Sequence, residues 1–170
     1  MSLDAINQAS AADAAHLFRQ CCTSGHWIER MVASRPYASA DALRQQADSH
    51  WRAMAEEDFL QAFDGHPKIG DVGSLKAKYA NTKALAAGEQ SGVNVATEGV
   101  IQRLAAGNRL YEEKFGFIFI VCATGKSAEE MTDLLEARLP NERQVELENA
   151  AQEQRKIFHI RLNQLLDTRQ

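Results

Sequence analysis

The run Phe63-Asp64-Gly65-His66-Pro67-Lys68-Ile69-Gly70-Asp71 puts an imidazole just past the end of a helical stretch, in a turn that cannot itself be helical. The residue before a proline is pushed out of the helical region, Gly65 suits a helix C-terminal cap, and Gly70 permits a further reversal of the backbone. A histidine fixed in this way can exchange a proton near neutral pH, but turn histidines more commonly make structural contacts, so His66 needs partners before it counts as chemistry. Glu89-Gln90, flanked by Gly88 and Gly92, offers an acceptor-only carboxylate beside an amide that both donates and accepts. Most such pairs are solvated surface. Were Glu89 close to His66, its carboxylate would orient the ring and favour the protonated form.

A third group stands out by its position. At about 100° per residue, Arg161 falls within the apolar stripe of the last helix, between Ile157 and Leu165 and beside Phe158. A guanidinium keeps its charge, so it requires an anion or a set of carbonyl acceptors there. A bound ligand, an internal carboxylate and a side chain that reaches past the stripe all satisfy that requirement, and position alone does not choose among them. His159 points to the opposite side of the same helix and is read as surface.

The elements that must hold these groups are helical. Alanine, leucine, glutamate, glutamine and arginine recur throughout, prolines number only three, and three- and four-residue apolar spacing dominates, so the class is all-α. The pattern gives about seven to nine helices in one domain over residues 1–170, with a long C-terminal helix. Helices are expected from Ala11 to Cys21, ended by Gly25, then over Trp27 to Ser34, Ser39 through Met54, Glu56 to Phe63, Leu75 to Leu85, and from Thr97-Glu98 towards Lys114. Ser127 and Glu130 have the spacing of a capping box opening a helix to about Leu139, where Pro140 ends it. Asn141 can cap the final helix, which continues to about Leu166. Phe115 to Ala123 is the one strand-like stretch. With no second strand of equal quality to pair with it, it reads as buried extended chain or an apolar helical turn.

Composition excludes several classes. The 19 basic and 23 acidic residues give a net charge of −4, with no basic block, so nucleic acid is not an expected partner. No apolar run reaches the ~18 residues of a membrane span, and the N-terminus lacks the basic start and apolar core of a signal peptide. Three cysteines, Cys21, Cys22 and Cys122, are odd in number with two adjacent, which argues for a reducing compartment, and a cytosolic protein is expected. His16, His26, His50 and His159 show no metal-ligand spacing, and no metal site is expected.

The order His66-Pro67-Lys68-Ile69-Gly70-Asp71, then Gly88-Glu89-Gln90-Ser91-Gly92, then Asn108-Arg109-Leu110-Tyr111-Glu112-Glu113-Lys114-Phe115-Gly116-Phe117 closely resembles the family of 2-oxo-4-hydroxy-4-carboxy-5-ureidoimidazoline (OHCU) decarboxylases of uric acid degradation. The likeness extends through Cys21-Cys22, Trp27, Arg35-Pro36 and Trp51 upstream and into the Ile157 to Leu165 helix downstream. It implies an all-helical, cofactor-free homodimer that converts OHCU to (S)-allantoin and carbon dioxide. It also implies that His66 is catalytic, that Glu89, Gln90 and Arg161 contact the substrate, and that Pro67 shapes the wall beside the histidine. Backbone groups from about Ile120 to Cys122 would line the pocket, with Val121 at their centre. One departure is visible: some members carry a serine three residues before the glutamate, where this chain has Ala86. Three other readings of the residues stand beside it: a helical interaction module in which His66 and Arg161 are structural, a metal-dependent hydrolase using His66, Asp71 and other histidines, which the ligand spacing does not favour, and a cysteine nucleophile at Cys122.

Overall fold

A computed structural model describes residues 2–66 and 98–166, and over them the chain is all-α, with eight helices and no strand among the described residues. The helices are α1 (Leu3–Gln8), α2 (Ala11–Arg19), α3 (Gly25–Ala33), α4 (Ala40–Arg52), α5 (Glu56–Asp64), α6 (Glu98–Phe115), α7 (Ala128–Arg138) and α8 (Arg143–Leu166). The helix expected over Leu75 to Leu85 lies outside the described residues. Among those described, no helix is long and apolar enough to cross a membrane. The contacts group the chain into two compact units, Met1–His66 with Asn149–Gln170, and Pro67–Glu148.

In the first unit, local chemistry starts the helices and aromatic burial holds them. The hydroxyls of Ser10 and Ser39 accept from the Asp13 and Ala42 N–H groups at 3.0 Å each, satisfying donors that a helix start leaves open. Helix α3 packs against α2, α4 and α5. Its Trp27 is fully buried, edge-on to Phe18 and 5.1 Å from the Phe158 ring, and its indole N–H donates to the Ala47 carbonyl at 3.1 Å. Trp51 of α4 meets Phe158 and Phe59 and donates to the Ala151 carbonyl at 3.0 Å, which ties α4 to α8. Burying a large apolar side chain of this kind is worth roughly 1.5–3 kcal/mol, and the indole bonds add registry.

Two glycines act differently from their sequence reading. Gly25 does not end a helix; α2 stops at Arg19 and Gly25 is the first residue of α3, its N–H donating to Gln61 Oε1 at 3.0 Å. Gly65 does follow α5, but in an ordinary right-handed conformation (φ −74°), so left-handed freedom is not what selects it. A Cβ at that position would lie 2.1 Å from Thr23 Oγ1. The close approach of the α5 terminus to Thr23, whose hydroxyl donates to the Gln61 carbonyl at 3.1 Å, is what requires glycine.

The second unit is described from residue 98 to 148. Helices α6 and α7 pack at Gly107, where a Cβ would sit 2.6 Å from Leu135 Cδ2. Ser127 and Glu130 form the expected capping box, each side chain bonded to the other's backbone N–H. The strand-like stretch after α6 is non-helical and unpaired into a sheet; Phe117, Phe119 and Ile120 are buried, and Phe119 and Phe117 pack edge-on to Tyr111. Asn141 does not open α8 at the next residue, because that helix starts at Arg143; its amide donates instead to Glu146 Oε2 at 2.7 Å. Glu146, fully buried, also accepts from Tyr111 Oη at 2.7 Å and Arg138 Nε at 2.6 Å, while Arg138 Nη1 donates to the Ile120 carbonyl at 2.9 Å.

Candidate active site

His66 follows directly from the close packing at Gly65. Its backbone N–H donates to the Phe63 carbonyl at 3.1 Å, which carries the chain one turn beyond α5 and turns the imidazole towards α8. There the ring Nε2 lies 2.5 Å from Gln154 Oε1. An amide carbonyl can only accept, so Nε2 carries the hydrogen and, in the neutral ring, Nδ1 is left as the acceptor. Burial pushes the His66 pKa below its ordinary value of 6.5; the Gln154 bond opposes this and the charge of Arg161 adds to it. The imidazole is therefore neutral at physiological pH.

Helix α8 supplies the rest of the arrangement from one face. Gln154, Phe158 and Arg161 recur four and three residues apart. Gln154 is fully buried, and its amide nitrogen has no acceptor among the described residues. Arg161 is half-buried and donates from Nη1 to the Cys21 carbonyl at 3.4 Å. Among the described residues no carboxylate lies within ion-pair distance of it, so the internal ion pair that the sequence left open is not made there. A guanidinium holds five N–H donors in a planar fork, and one long bond to a carbonyl leaves most of that capacity for an anion.

The neighbouring thiols are not nucleophiles in this setting. Burial pushes Cys21 and Cys22 up to about 12, against a weaker pull from Arg161, so both are protonated. Cys122 is also buried and is in no disulfide. Among the described residues no group of three metal-binding side chains is assembled.

His159, read from periodicity as surface, is instead held inside a polar cluster of the first unit. Its Nε2 lies 2.6 Å from Asp48 Oδ1, and Arg155 grips the same carboxylate at 2.7 and 2.9 Å. Burial alone would raise the Asp48 pKa, but the bonds from Arg155 and His159 outweigh it and hold the carboxyl below its usual value. The correction has a simple cause: helix phase told which side His159 faces, and only tertiary packing brings Asp48 of α4 to that side.

The structure thus places His66 and Arg161 in the first unit, near enough for the Arg161 charge to lower the His66 pKa. Val121 belongs to the second unit, half-buried in the extended stretch after Phe119. Pro67, Glu89, Gln90 and Ala86 lie outside the described residues. Gln154 is the group that sequence reasoning missed. The signal was present, since it stands four residues before Phe158 on the stripe that carries Arg161, but a glutamine in the run Gln152-Glu153-Gln154 reads as solvated helix surface.

A half-buried histidine with a lowered pKa and, within electrostatic reach of it, a guanidinium with no carboxylate partner among the described residues are thus held on a helical scaffold. Residues 7–163 match the family model of OHCU decarboxylase, and the chain belongs to that family. It is 33% identical over 157 residues to the 2-oxo-4-hydroxy-4-carboxy-5-ureidoimidazoline decarboxylase of Amia calva, covering 85% of this chain and 86% of that protein. It is 34% identical over 148 residues to the uric acid degradation bifunctional protein TTL of Arabidopsis thaliana, covering 87% of this chain and 46% of that one. The chain spans between 32% and 46% of the length of the bifunctional relatives it matches. Among solved structures, an OHCU decarboxylase crystallised in the presence of (S)-allantoin superposes with a TM-score of 0.70 at 31% identity, over 94% of this chain and all of that one.

Proposed function

We propose that this chain is a cofactor-independent carboxy-lyase that converts OHCU to (S)-allantoin and carbon dioxide in uric acid degradation. The observation that carries the reading is the half-buried Arg161, with no carboxylate partner among the described residues, beside a histidine that burial keeps neutral. Family membership supplies the substrate class.

The chemistry asks little beyond these groups. OHCU bears its carboxylate on the ring carbon that also carries a hydroxyl. When the carbon–carboxylate bond breaks, the electron pair is taken up by the adjacent conjugated ring, so the substrate acts as its own electron sink. His66 exchanges a proton with the ring hydroxyl or a neighbouring heteroatom as carbon dioxide leaves. Arg161 stabilises the negative charge that accumulates on ring oxygen, an effect worth about 3 kcal/mol for a preorganised donor. The hydroxyl-bearing carbon becomes the ring carbonyl, and protonation of the adjacent ureido-bearing carbon from one face sets the (S) centre.

On the resemblance alone, Pro67, Glu89, Gln90 and Val121 complete the substrate contacts. A single functional domain over residues 1–170, assembly as a homodimer and a cytosolic location belong to the same proposal; three cysteines outside any disulfide support the last. The test is turnover of OHCU generated in situ from urate by a urate oxidase and a hydroxyisourate hydrolase. Ultraviolet absorbance follows its loss and circular dichroism the handedness of the product. Faster decay to (S)-allantoin, undiminished by a chelator and lost in His66→Asn with unchanged far-ultraviolet dichroism, is the expected result. Decay at the spontaneous rate, or full activity in His66→Asn, overturns it.

A further inference from the structure

We propose that Gln154 is a positioning residue that sets the tautomer of His66, keeping the hydrogen on Nε2 and leaving Nδ1 as the atom that accepts the substrate's proton. The inference rests on the acid–base role of His66 proposed above and adds which nitrogen does the work and what enforces the choice.

Three observations lead to it. His66 Nε2 faces Gln154 Oε1, a carbonyl oxygen that can accept a hydrogen bond but not donate one. The Gln154 side chain is fully buried on α8 and cannot turn out to solvent, so the acceptor it offers is fixed with the helix. Its amide nitrogen is left without an acceptor among the described residues. Leaving a buried donor unmet is destabilising, and a group kept in that state calls for a purpose other than stability. Among the described residues, the bond to the imidazole is the one hydrogen bond this side chain makes.

The arrangement has a chemical consequence. A neutral carbonyl at Nε2 fixes the ring without stabilising the imidazolium as a carboxylate would. Burial, helped by the Arg161 charge, outweighs the upward pull of the Gln154 bond and keeps a base available at neutral pH, whereas a histidine–carboxylate pair would hold the proton.

The direct test is two-bond proton–nitrogen correlation NMR on the full chain labelled with nitrogen-15 in histidine, at about pH 7, with the His66 signals identified by their absence in His66→Asn. The wild type is expected to show the Nε2–H tautomer; an Nδ1–H ring overturns the proposal. Two variants add a functional readout. Gln154→Leu removes the acceptor at similar size and should give mixed tautomers, with kcat down about tenfold and KM nearly unchanged. Gln154→Glu restores the acceptor with a charge. It should return a single tautomer and move the acid limb of kcat/KM to higher pH by about one unit. A merely structural glutamine predicts the wild-type tautomer and kcat in Gln154→Leu with only stability lost, and that outcome, or an unchanged tautomer in both variants, overturns the proposal. Should Gln154→Leu fail to fold, the wild-type spectrum and Gln154→Glu still decide it. Full turnover by His66→Asn would remove the histidine from the chemistry while leaving the tautomer result standing, so the two readings fail separately.

Discussion

Arg161 rests one guanidinium nitrogen on the Cys21 carbonyl at 3.4 Å, a contact that spans 140 positions of the chain and joins the C-terminal helix to the segment after α2. The bond is long, and it is made to a neutral acceptor. It positions the guanidinium without neutralising it.

Substitutions at this position should therefore cost activity rather than stability. Arg161→Lys keeps the charge but loses the planar fork, and a loss of about a hundredfold in kcat/KM is expected, within the range found when one preorganised donor is removed. Because no buried ion pair is broken among the described residues, the urea midpoint should move little. Steady-state assay and equilibrium unfolding on the same preparation check both halves.

The pH dependence follows from the His66 pKa, which lies below 6.5 in the folded chain. Activity that needs the neutral ring should persist through neutral pH and fall only as pH drops through that lowered value. Stability has the same sign: below about pH 6.5 the unfolded chain binds the proton more readily than the folded one, so the folded state loses ground as pH falls through the window. Arg161→Gln removes a charge that depresses this pKa and should shift the acid limb of kcat/KM upward. A pH–rate profile of wild type and variant measures the shift.

At Gly65 the prediction is steric. Gly65→Ala places a methyl 2.1 Å from Thr23 Oγ1, so Thr23 or the end of α5 must move, at about 1–3 kcal/mol for such overpacking. The residue that follows is His66, so kcat should fall together with the denaturation midpoint. Urea titration and turnover of the variant test the coupling; unchanged values of both would contradict it.

Local signals were legible in the sequence wherever the physics is local. Ser127 caps its helix through a bond to the residue three positions on, and this was readable from spacing alone. Arg161 was readable as misplaced because a charge in an apolar stripe breaks a periodic rule. Gln154 and His159 were not, since each takes its role from a partner far along the chain, His66 and Asp48 respectively. Gly65 was placed correctly as a boundary but for the wrong reason, because a close approach to Thr23 leaves no local mark.

In the second unit, Glu146 is the keystone of a buried polar network. Glu146→Ala would leave Arg138 without its carboxylate, which typically costs about 3–5 kcal/mol when a buried pair loses one partner. Tyr111→Phe removes the bond to the same carboxylate and a longer one accepted from Arg138 at 3.3 Å, and should cost only about 1–2 kcal/mol. Equilibrium unfolding of the two variants reads the difference, and equal losses would mean that the network does not centre on Glu146.

The most direct test of the account is a crystal structure of the protein grown with (S)-allantoin. The imidazole of His66 and the guanidinium of Arg161 should both lie within hydrogen-bond reach of one ligand molecule, about 2.6–3.2 Å between heavy atoms, with Gln154 still bonded to Nε2 of the ring. A ligand bound elsewhere, with these two side chains remote from it, would contradict the proposed function at its base.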